Sequence, residues 1–198
     1  MTDPNDPSSF YGLSDDAVML MIHADDAGLC HSENSATIHC LENGSVNSCS
    51  VMVNCPGFDE MAAYLRLHPE FDHGIHLTLT CEWLDYKFGP VLSSDEVPSL
   101  VDENGNFFKD RKTLLQNADP AEVRKEIRAQ IEKGLDFGLQ PSHIDSHMYS
   151  MGISHEIFDL YREAGEEFNL PLLLNGRLLA EISGLDPGRV LGPADFQI

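Results

Sequence analysis

One short segment of the chain alternates imidazole and carboxylate side chains. In Ser142-His-Ile-Asp-Ser-His-Met148, a period of two places His143, Asp145 and His147 on one face of a strand. Such a row is costly to bury unless it binds a metal ion or transfers protons. Alternate residues of a strand lie about 6.5 Å apart, so a regular strand cannot give all three to one ion. We expect one ligand from this row. Its position nearest the end of the strand favours His147, with Asp145 as a supporting or catalytic partner.

Two earlier segments hold further candidate residues. Asp25 and Asp26 come directly after Val18-Met-Leu-Met-Ile-His23, an apolar run typical of a strand in a parallel sheet. Ligands bind at the carboxyl ends of such strands. His76 lies in a third strand pattern, on the face opposite its apolar neighbours. Together with the later row, these residues indicate a metal-dependent hydrolase in which one carboxylate binds the cation and another accepts a proton.

Strand and helix patterns alternate along the chain. The predicted strands are 18–23, 49–53, 74–79, 142–148 and 172–174, and the predicted helices are 32–43, 56–67, 119–138 and one that Ser154 caps. This order predicts a parallel sheet with helical crossovers, as an open doubly wound sheet or as a barrel. We expect residues 1–198 to form a single catalytic domain.

The clearest helix pattern begins near Asp119. This residue is a predicted N-cap, with Pro120 at the first helical position and Glu122 completing a capping box. Apolar residues at four-residue spacing then predict a buried stripe, formed by Val123, Ile127, Ile131 and Leu135.

Residues 81–112 interrupt the alternation. The segment contains Trp83, Tyr86 and Phe88, followed by a strong turn signal at Asp102-Glu-Asn-Gly105. A connection of this length in a compact domain is often a lid or a binding loop. We interpret it as an insertion or lid loop. A plain surface insertion is an equal alternative.

The composition of the chain limits the classes of partner that it can bind. The formal net charge of −21 opposes binding to nucleic acid and to anionic membranes. We see no signal peptide at the N-terminus. Five cysteines without a C-x-x-C pair argue against a disulfide framework and against a structural zinc site. These features favour a cytoplasmic protein that acts on a neutral substrate, and they leave a homodimer open.

Two other kinds of chemistry use residues of these types. A His-x-Asp pair with a distant histidine is typical of non-haem iron oxygenases, but the only later histidines, His147 and His155, lie too near. A metal-dependent phosphoester hydrolase is a further alternative. The small number of basic residues near plausible rim loops argues against a phosphate pocket.

Three ordered motifs resemble the YdjC-like carbohydrate deacetylase family. They are Ile22-His-Ala-Asp-Asp-Ala-Gly-Leu29, Gly74-Ile-His-Leu-Thr-Leu-Thr80 and His143-Ile-Asp-Ser-His147, and Asn34 also fits the family pattern. The resemblance covers roughly residues 17–180. It implies a distorted, incomplete (β/α) barrel of the TIM type, with about seven strands in the complete family fold. It also implies hydrolysis of the N-acetyl group of an amino sugar or chitin-type oligosaccharide with one divalent metal ion.

The resemblance also assigns roles to residues. Asp26, His76 and His143 match the metal ligands and Asp25 matches the catalytic base, while His147 and Asp145 are then active-site neighbours. Mg or Zn is the expected ion, with Co or Ni as alternatives. The family's late His-Pro-Gly motif, whose histidine resembles the general acid, is not found in the sequence. The expectation is therefore a chain truncated at its C-terminus, and a sugar- or metal-binding pseudoenzyme is the alternative to an active deacetylase.

Overall fold

The computed structural model describes residues 20–174, in which strands alternate with helices. The strands are β1 (His23–Ala27), β2 (Ser48–Val51), β3 (Asp72–Leu77) and β4 (Ile144–Ser146). The helices are α1 (His31–Glu42), α2 (Phe58–Leu67), α3 (Arg111–Asn117), α4 (Pro120–Asp136) and α5 (His155–Phe168). Short 3-10 segments occupy Pro98–Leu100 and His147–Gly152. The predicted alternation of strands and helices is confirmed.

The strands form one parallel sheet in the order β1-β2-β3-β4. Helical crossovers between neighbouring parallel strands give this simple order. Leu172 adds a parallel bridge to Ile144, at the position predicted for a fifth strand. The predicted class, an incomplete barrel-like α/β fold, is confirmed, and the number of strands in a complete barrel stays a prediction. Across residues 20–174, no helix combines the length and apolar character needed to cross a membrane.

The two faces of the sheet differ in chemistry. Ile75 of β3 is fully buried and lies against Gly134 of α4. A Cβ atom at Gly134 would collide with the Ile75 side chain. Burial of one such apolar side chain contributes about 1.5–3 kcal/mol. The opposite face of the sheet carries polar residues, among them Ser50 and His76, which are also buried. The apolar face therefore holds the helices, and the polar face is available for a site.

The first strand begins later than predicted. Leu20, Met21 and Ile22 are 70%, 39% and 46% exposed, and the strand starts at His23. Residues 18 and 19 of the predicted strand lie outside the described residues. Asp25 and Asp26 therefore lie inside β1 rather than after it.

Two details predicted for the fourth helix are wrong. Leu135 is 41% exposed, because four-residue spacing drifts by about 40° per step from the 3.6-residue helical turn. Glu122 does not complete a capping box. Its carboxylate instead accepts hydrogen bonds from the backbone N–H and the hydroxyl of Ser99, while Asp119 caps the helix through Ala121 N.

The segment 81–112 is attached to the core by a buried carboxylate. Glu126 of α4 accepts hydrogen bonds from the backbone N–H groups of Val91 and Leu92, at 2.8 and 3.1 Å. Phe88 and Phe107 of the segment are buried. The segment thus packs as part of the domain, and its role as a lid stays a prediction.

Candidate metal centre

Three side chains converge at the polar face of the sheet, near the ends of the strands. Asp26 Oδ1 lies 3.2 Å from His76 Nε2 and 3.0 Å from His147 Nδ1, and the two nitrogens lie 3.3 Å apart. Histidine and carboxylate ligands bind Zn²⁺ at about 2.0–2.2 Å, so donors about 3 Å apart fit around one ion. The two histidines are buried and Asp26 is half-buried. The residues present therefore fit a divalent cation.

The backbone of β1 is distorted at the first of these ligands. The register of β1 on β2 shifts between Ala24 and Ala27, and Asp26 between them has φ of +64°. A left-handed conformation costs a residue with a side chain about 1–2 kcal/mol, and such strain is concentrated at functional sites. The buried side chain of Asn34 fixes the turn that follows β1. It accepts a hydrogen bond from Gly28 N at 2.7 Å and donates one to a backbone carbonyl in the loop before α2.

The position of His147 depends on the early end of β4. The strand stops at Ser146, and Met148 and Tyr149 adopt φ of +50° and +54°. Ser146 Oγ accepts a hydrogen bond from Met151 N at 2.9 Å, which closes this turn. The regular period of two therefore ends before His147, and this side chain turns toward Asp26.

A carboxylate lies behind each histidine. The distance from His76 Nδ1 to Asp145 Oδ1 is 2.8 Å, and that from His147 Nε2 to Glu82 Oε2 is 3.0 Å. A carboxylate that accepts the N–H of the outer nitrogen directs the lone pair of the other nitrogen to the ion. Sequence reasoning predicted Asp145 but missed Glu82, because it is one of several acidic residues in the 81–112 segment and no spacing pattern distinguishes it.

A second group of similar residues lies beside the first. His23, His143 and Asp145 also have donor atoms within 4.8 Å of one another. His143 Nδ1 lies 2.8 Å from Ser142 Oγ, and its Nε2 is buried without a hydrogen-bond partner, over Gly74. The structure therefore does not bring His143 to Asp26 and His76. It brings His147 there, which is the residue that the position at the strand end favoured.

The charges at the site depend on these contacts. Burial alone would raise the pKa of Asp26, but hydrogen bonds from His147 and His76 hold it well below its ordinary value. Burial lowers the pKa of His76, yet Asp145 and Asp26 outweigh this effect and raise it to about 10. Asp25 differs, because desolvation raises its pKa. Its carboxylate shares a group of close donors with His76 and Asp145.

The fold and the site together define an incomplete α/β barrel with a candidate metal centre at the ends of its strands. A family model described as YdjC-like protein matches residues 19–191. The chain belongs to the YdjC-like protein family.

Curated relatives share the same part of the sequence. The chain is 34% identical over 153 residues to a carbohydrate deacetylase of Thermoanaerobacter pseudethanolicus, covering 77% of this chain and 59% of that protein. It is 36% identical to a carbohydrate deacetylase of Geobacillus stearothermophilus, covering 77% and 58%. A chitooligosaccharide deacetylase of Proteus mirabilis is 32% identical, covering 91% and 68%. The chain thus spans about three fifths of the length of the first two relatives.

Solved structures support the fold. A protein of Enterococcus faecalis, described as a candidate cellobiose-phosphate cleavage protein, superposes with a TM-score of 0.71 at 31% identity, covering 77% of this chain and 57% of that one. A lactam utilization protein of Thermus thermophilus has a TM-score of 0.50 at 18% identity, covering 83% and 61%. The second likeness concerns the fold alone.

Proposed function

We propose that this protein is a metal-dependent hydrolase that removes the N-acetyl group from an amino sugar or a chitin-type oligosaccharide. The observation that carries the proposal is the convergence of Asp26 Oδ1, His76 Nε2 and His147 Nδ1 within about 3 Å of one another. The names of the relatives, carbohydrate deacetylase and chitooligosaccharide deacetylase, support the type of reaction.

The proposed ligands are Asp26, His76 and His147, with His147 in the role that the family resemblance gave to His143. One oxygen and two imidazole nitrogens suit Zn²⁺, Co²⁺ or Ni²⁺ better than Mg²⁺, which prefers oxygen ligands. When bound, the ion would polarise the acetyl carbonyl and lower the pKa of water at the site.

Asp25 is the proposed general base. Its side chain is 64% exposed, so that substrate and water can reach it, and its donor atom lies within 4.8 Å of those of His76 and Asp145. A carboxylate at this position, open to water and close to the proposed cation, can accept a proton from the attacking water. In this scheme Asp25 takes a proton from the attacking water, while Asp145 keeps the imidazole of His76 in its orientation.

Two exposed aromatic residues lie close in sequence to the site. Trp83 is 47% exposed and directly follows Glu82, and Tyr149 is 47% exposed and lies two residues after His147. Aromatic rings that are apolar on their faces suit the flat apolar surfaces of sugar rings. We propose that these two side chains contact the sugar. Phe88 of the same segment is buried in the core instead.

The surroundings of the site disfavour a phosphoester as substrate. Asp25, Asp26, Glu82 and Asp145 place several carboxylates around the converging donors, and these charges repel a phosphate group. A neutral acetamide does not encounter this repulsion.

Acetate release tests the proposal. We expect the protein to release acetate from diacetylchitobiose when Zn²⁺, Co²⁺, Ni²⁺ or Mg²⁺ is added, and chelation of the ion to stop the reaction. Asp25→Asn should lower kcat by at least about 100-fold, as loss of a general base does, without loss of metal binding measured by calorimetry. Metal binding without acetate release under any of these conditions would contradict the deacetylase and leave a metal-binding protein without this activity.

A further inference from the structure

A continuous chain of hydrogen bonds crosses the polar face of the sheet. Ser48 Oγ donates to Asp72 Oδ2 at 2.5 Å, and His23 Nδ1 lies 2.9 Å from the same Ser48 oxygen. His23 Nε2 lies 3.1 Å from Ser50 Oγ, which donates to Asp145 Oδ2 at 2.8 Å. Five residues from the four strands are thus joined through short polar contacts, and His23 lies at the middle.

The chain of hydrogen bonds reaches the candidate metal centre at its Asp145 end. Asp145 uses one oxygen for Ser50 and the other, Oδ1, for His76 Nδ1 at 2.8 Å. Ser50 Oγ also lies 2.9 Å from that nitrogen. The orientation of His76 therefore depends on how firmly Asp145 is held.

His23 is held on both sides by these contacts. Each of its ring nitrogens lies beside a serine hydroxyl that also donates to a carboxylate. In addition, His23 Nε2 lies 3.4 Å from Asp145 Oδ2. The imidazole of His23 therefore lies directly against the carboxylate that contacts His76.

The two carboxylates are suited to this arrangement. Burial would raise the pKa of Asp145, but His76 and His23 lower it below its ordinary value. The pKa of Asp72 is lowered as well, because hydrogen bonds from Ser142 and Ser48 outweigh desolvation. Both groups are ionised at neutral pH and accept the serine protons.

We propose that His23 is a positioning residue of the metal centre. Through Ser50 and through its own contact with Asp145, His23 holds that carboxylate in place. Asp145 in turn holds His76 Nδ1, so that Nε2 points toward Asp26 and the proposed cation. The proposal depends on the proposed role of His76 as a ligand.

Substitution of His23 by Gln and by Leu tests the proposal. His23→Gln keeps a polar amide but removes the two opposed ring nitrogens, and His23→Leu removes every polar contact. We expect the affinity for Zn²⁺, measured by competition with a chromogenic chelator, to fall about 10-fold in each, the low end of the range for outer partners of a metal site. His73→Gln is the matched control. It changes another buried histidine, of β3, that lies outside the chain of hydrogen bonds, and it should leave the affinity unchanged.

A spectroscopic readout separates positioning from a general loss of stability. In zinc-bound, ¹⁵N-labelled His23→Gln, the Nδ1–H signal of His76 should shift relative to that of the wild type. If the His23 variants are poorly folded, Ser48→Ala provides the test, with Ser150→Ala as its control because the Ser150 hydroxyl is buried without a partner. Ser48→Ala should lower zinc affinity severalfold, and Ser150→Ala should not.

The outcomes are distinguishable. Zinc affinity and a His76 signal that stay unchanged in His23→Gln and Ser48→Ala would overturn the positioning role. If His76→Ala also binds zinc as the wild type does, the proposed metal centre itself is wrong. Loss of zinc binding in His76→Ala alone would leave the centre intact and reject only the role of His23.

Discussion

Two neighbouring groups of histidine and aspartate share one face of the sheet but differ in how their nitrogens are used. In the first, His76 Nε2 and His147 Nδ1 face each other and one Asp26 oxygen. In the second, both nitrogens of His23 already contact serine hydroxyls. Residue types alone would make either group a metal site. The comparison teaches that the kind of neighbour distinguishes the groups: the facing nitrogens of the first group lie beside other candidate ligands, whereas those of His23 lie beside serine hydroxyls.

Removal of one histidine from each group is the strongest test of this difference. His76→Ala should lower Zn²⁺ affinity by more than about 100-fold, because it removes a proposed ligand and even outer partners are worth about 10–100-fold. His143→Ala should change the affinity by less than about threefold, since His143 lies outside the first group. Calorimetric titration measures both. Equal losses in the two variants would contradict the distinction.

Asp145 contacts both groups, and the effect of its substitution on the free energy of unfolding should depend on pH. In the ion-free protein, Asp145→Asn should lower the free energy of unfolding at pH 7 by about 1.5–3 kcal/mol, the usual contribution of a charge-assisted hydrogen bond. Because the pKa of Asp145 is lowered in the folded state, its contribution is present above the unfolded pKa. The contribution is lost as pH falls.

Urea unfolding at pH 7, 5 and 3.5, with a chelator present, measures this effect. The difference in free energy of unfolding between wild type and variant should become smaller below about pH 4, near the ordinary pKa of aspartate. A difference that is constant with pH would show that Asp145 is not ionised in the folded protein.

Glu82 supports the first group from the partly exposed side. Glu82→Gln should lower Zn²⁺ affinity by about 10-fold, because its side chain is 32% exposed and water can partly replace it. Trp83→Ala, at the next position, is the matched control, and it should leave metal affinity unchanged while raising KM for diacetylchitobiose. A loss of metal affinity in Trp83→Ala equal to that in Glu82→Gln would remove the specific role of the carboxylate.

The smallest effect on the metal is expected at Gly74. A Cβ at this position would collide with the His143 ring, so Gly74→Ala should lower the free energy of unfolding by about 1–3 kcal/mol. Zn²⁺ affinity should change by less than about threefold. In the double variant with His143→Ala, the collision is absent and much of the lost stability should return. Thermal unfolding and metal titration of the single and double variants measure both quantities. A tenfold loss of Zn²⁺ affinity in Gly74→Ala would show that the two groups are coupled.

Periodicity and strand order predicted much of the fold and indicated several residues of the candidate site. The parallel arrangement followed from alternating patterns, and the end-of-strand argument indicated His147, although the family resemblance pointed to His143. The boundary of β1 was missed because exposed Leu20, Met21 and Ile22 resemble a buried run. Glu82 and Ser50 were missed for another reason. Each is a single polar residue that tertiary packing brings to the site, and no spacing in the sequence connects it to a histidine.

The left-handed backbone at Asp26 limits how the centre could be redesigned. Aspartate, asparagine and glycine tolerate this conformation better than glutamate or cysteine does. A designer who exchanges this ligand to change the preferred metal would have to rebuild the bulge of β1 together with the side chain. His76 lies on a regular strand and His147 directly after β4, and neither has a positive φ, so their replacement does not meet that restriction at the ligand itself. Redesign of metal selectivity should therefore begin at the histidines.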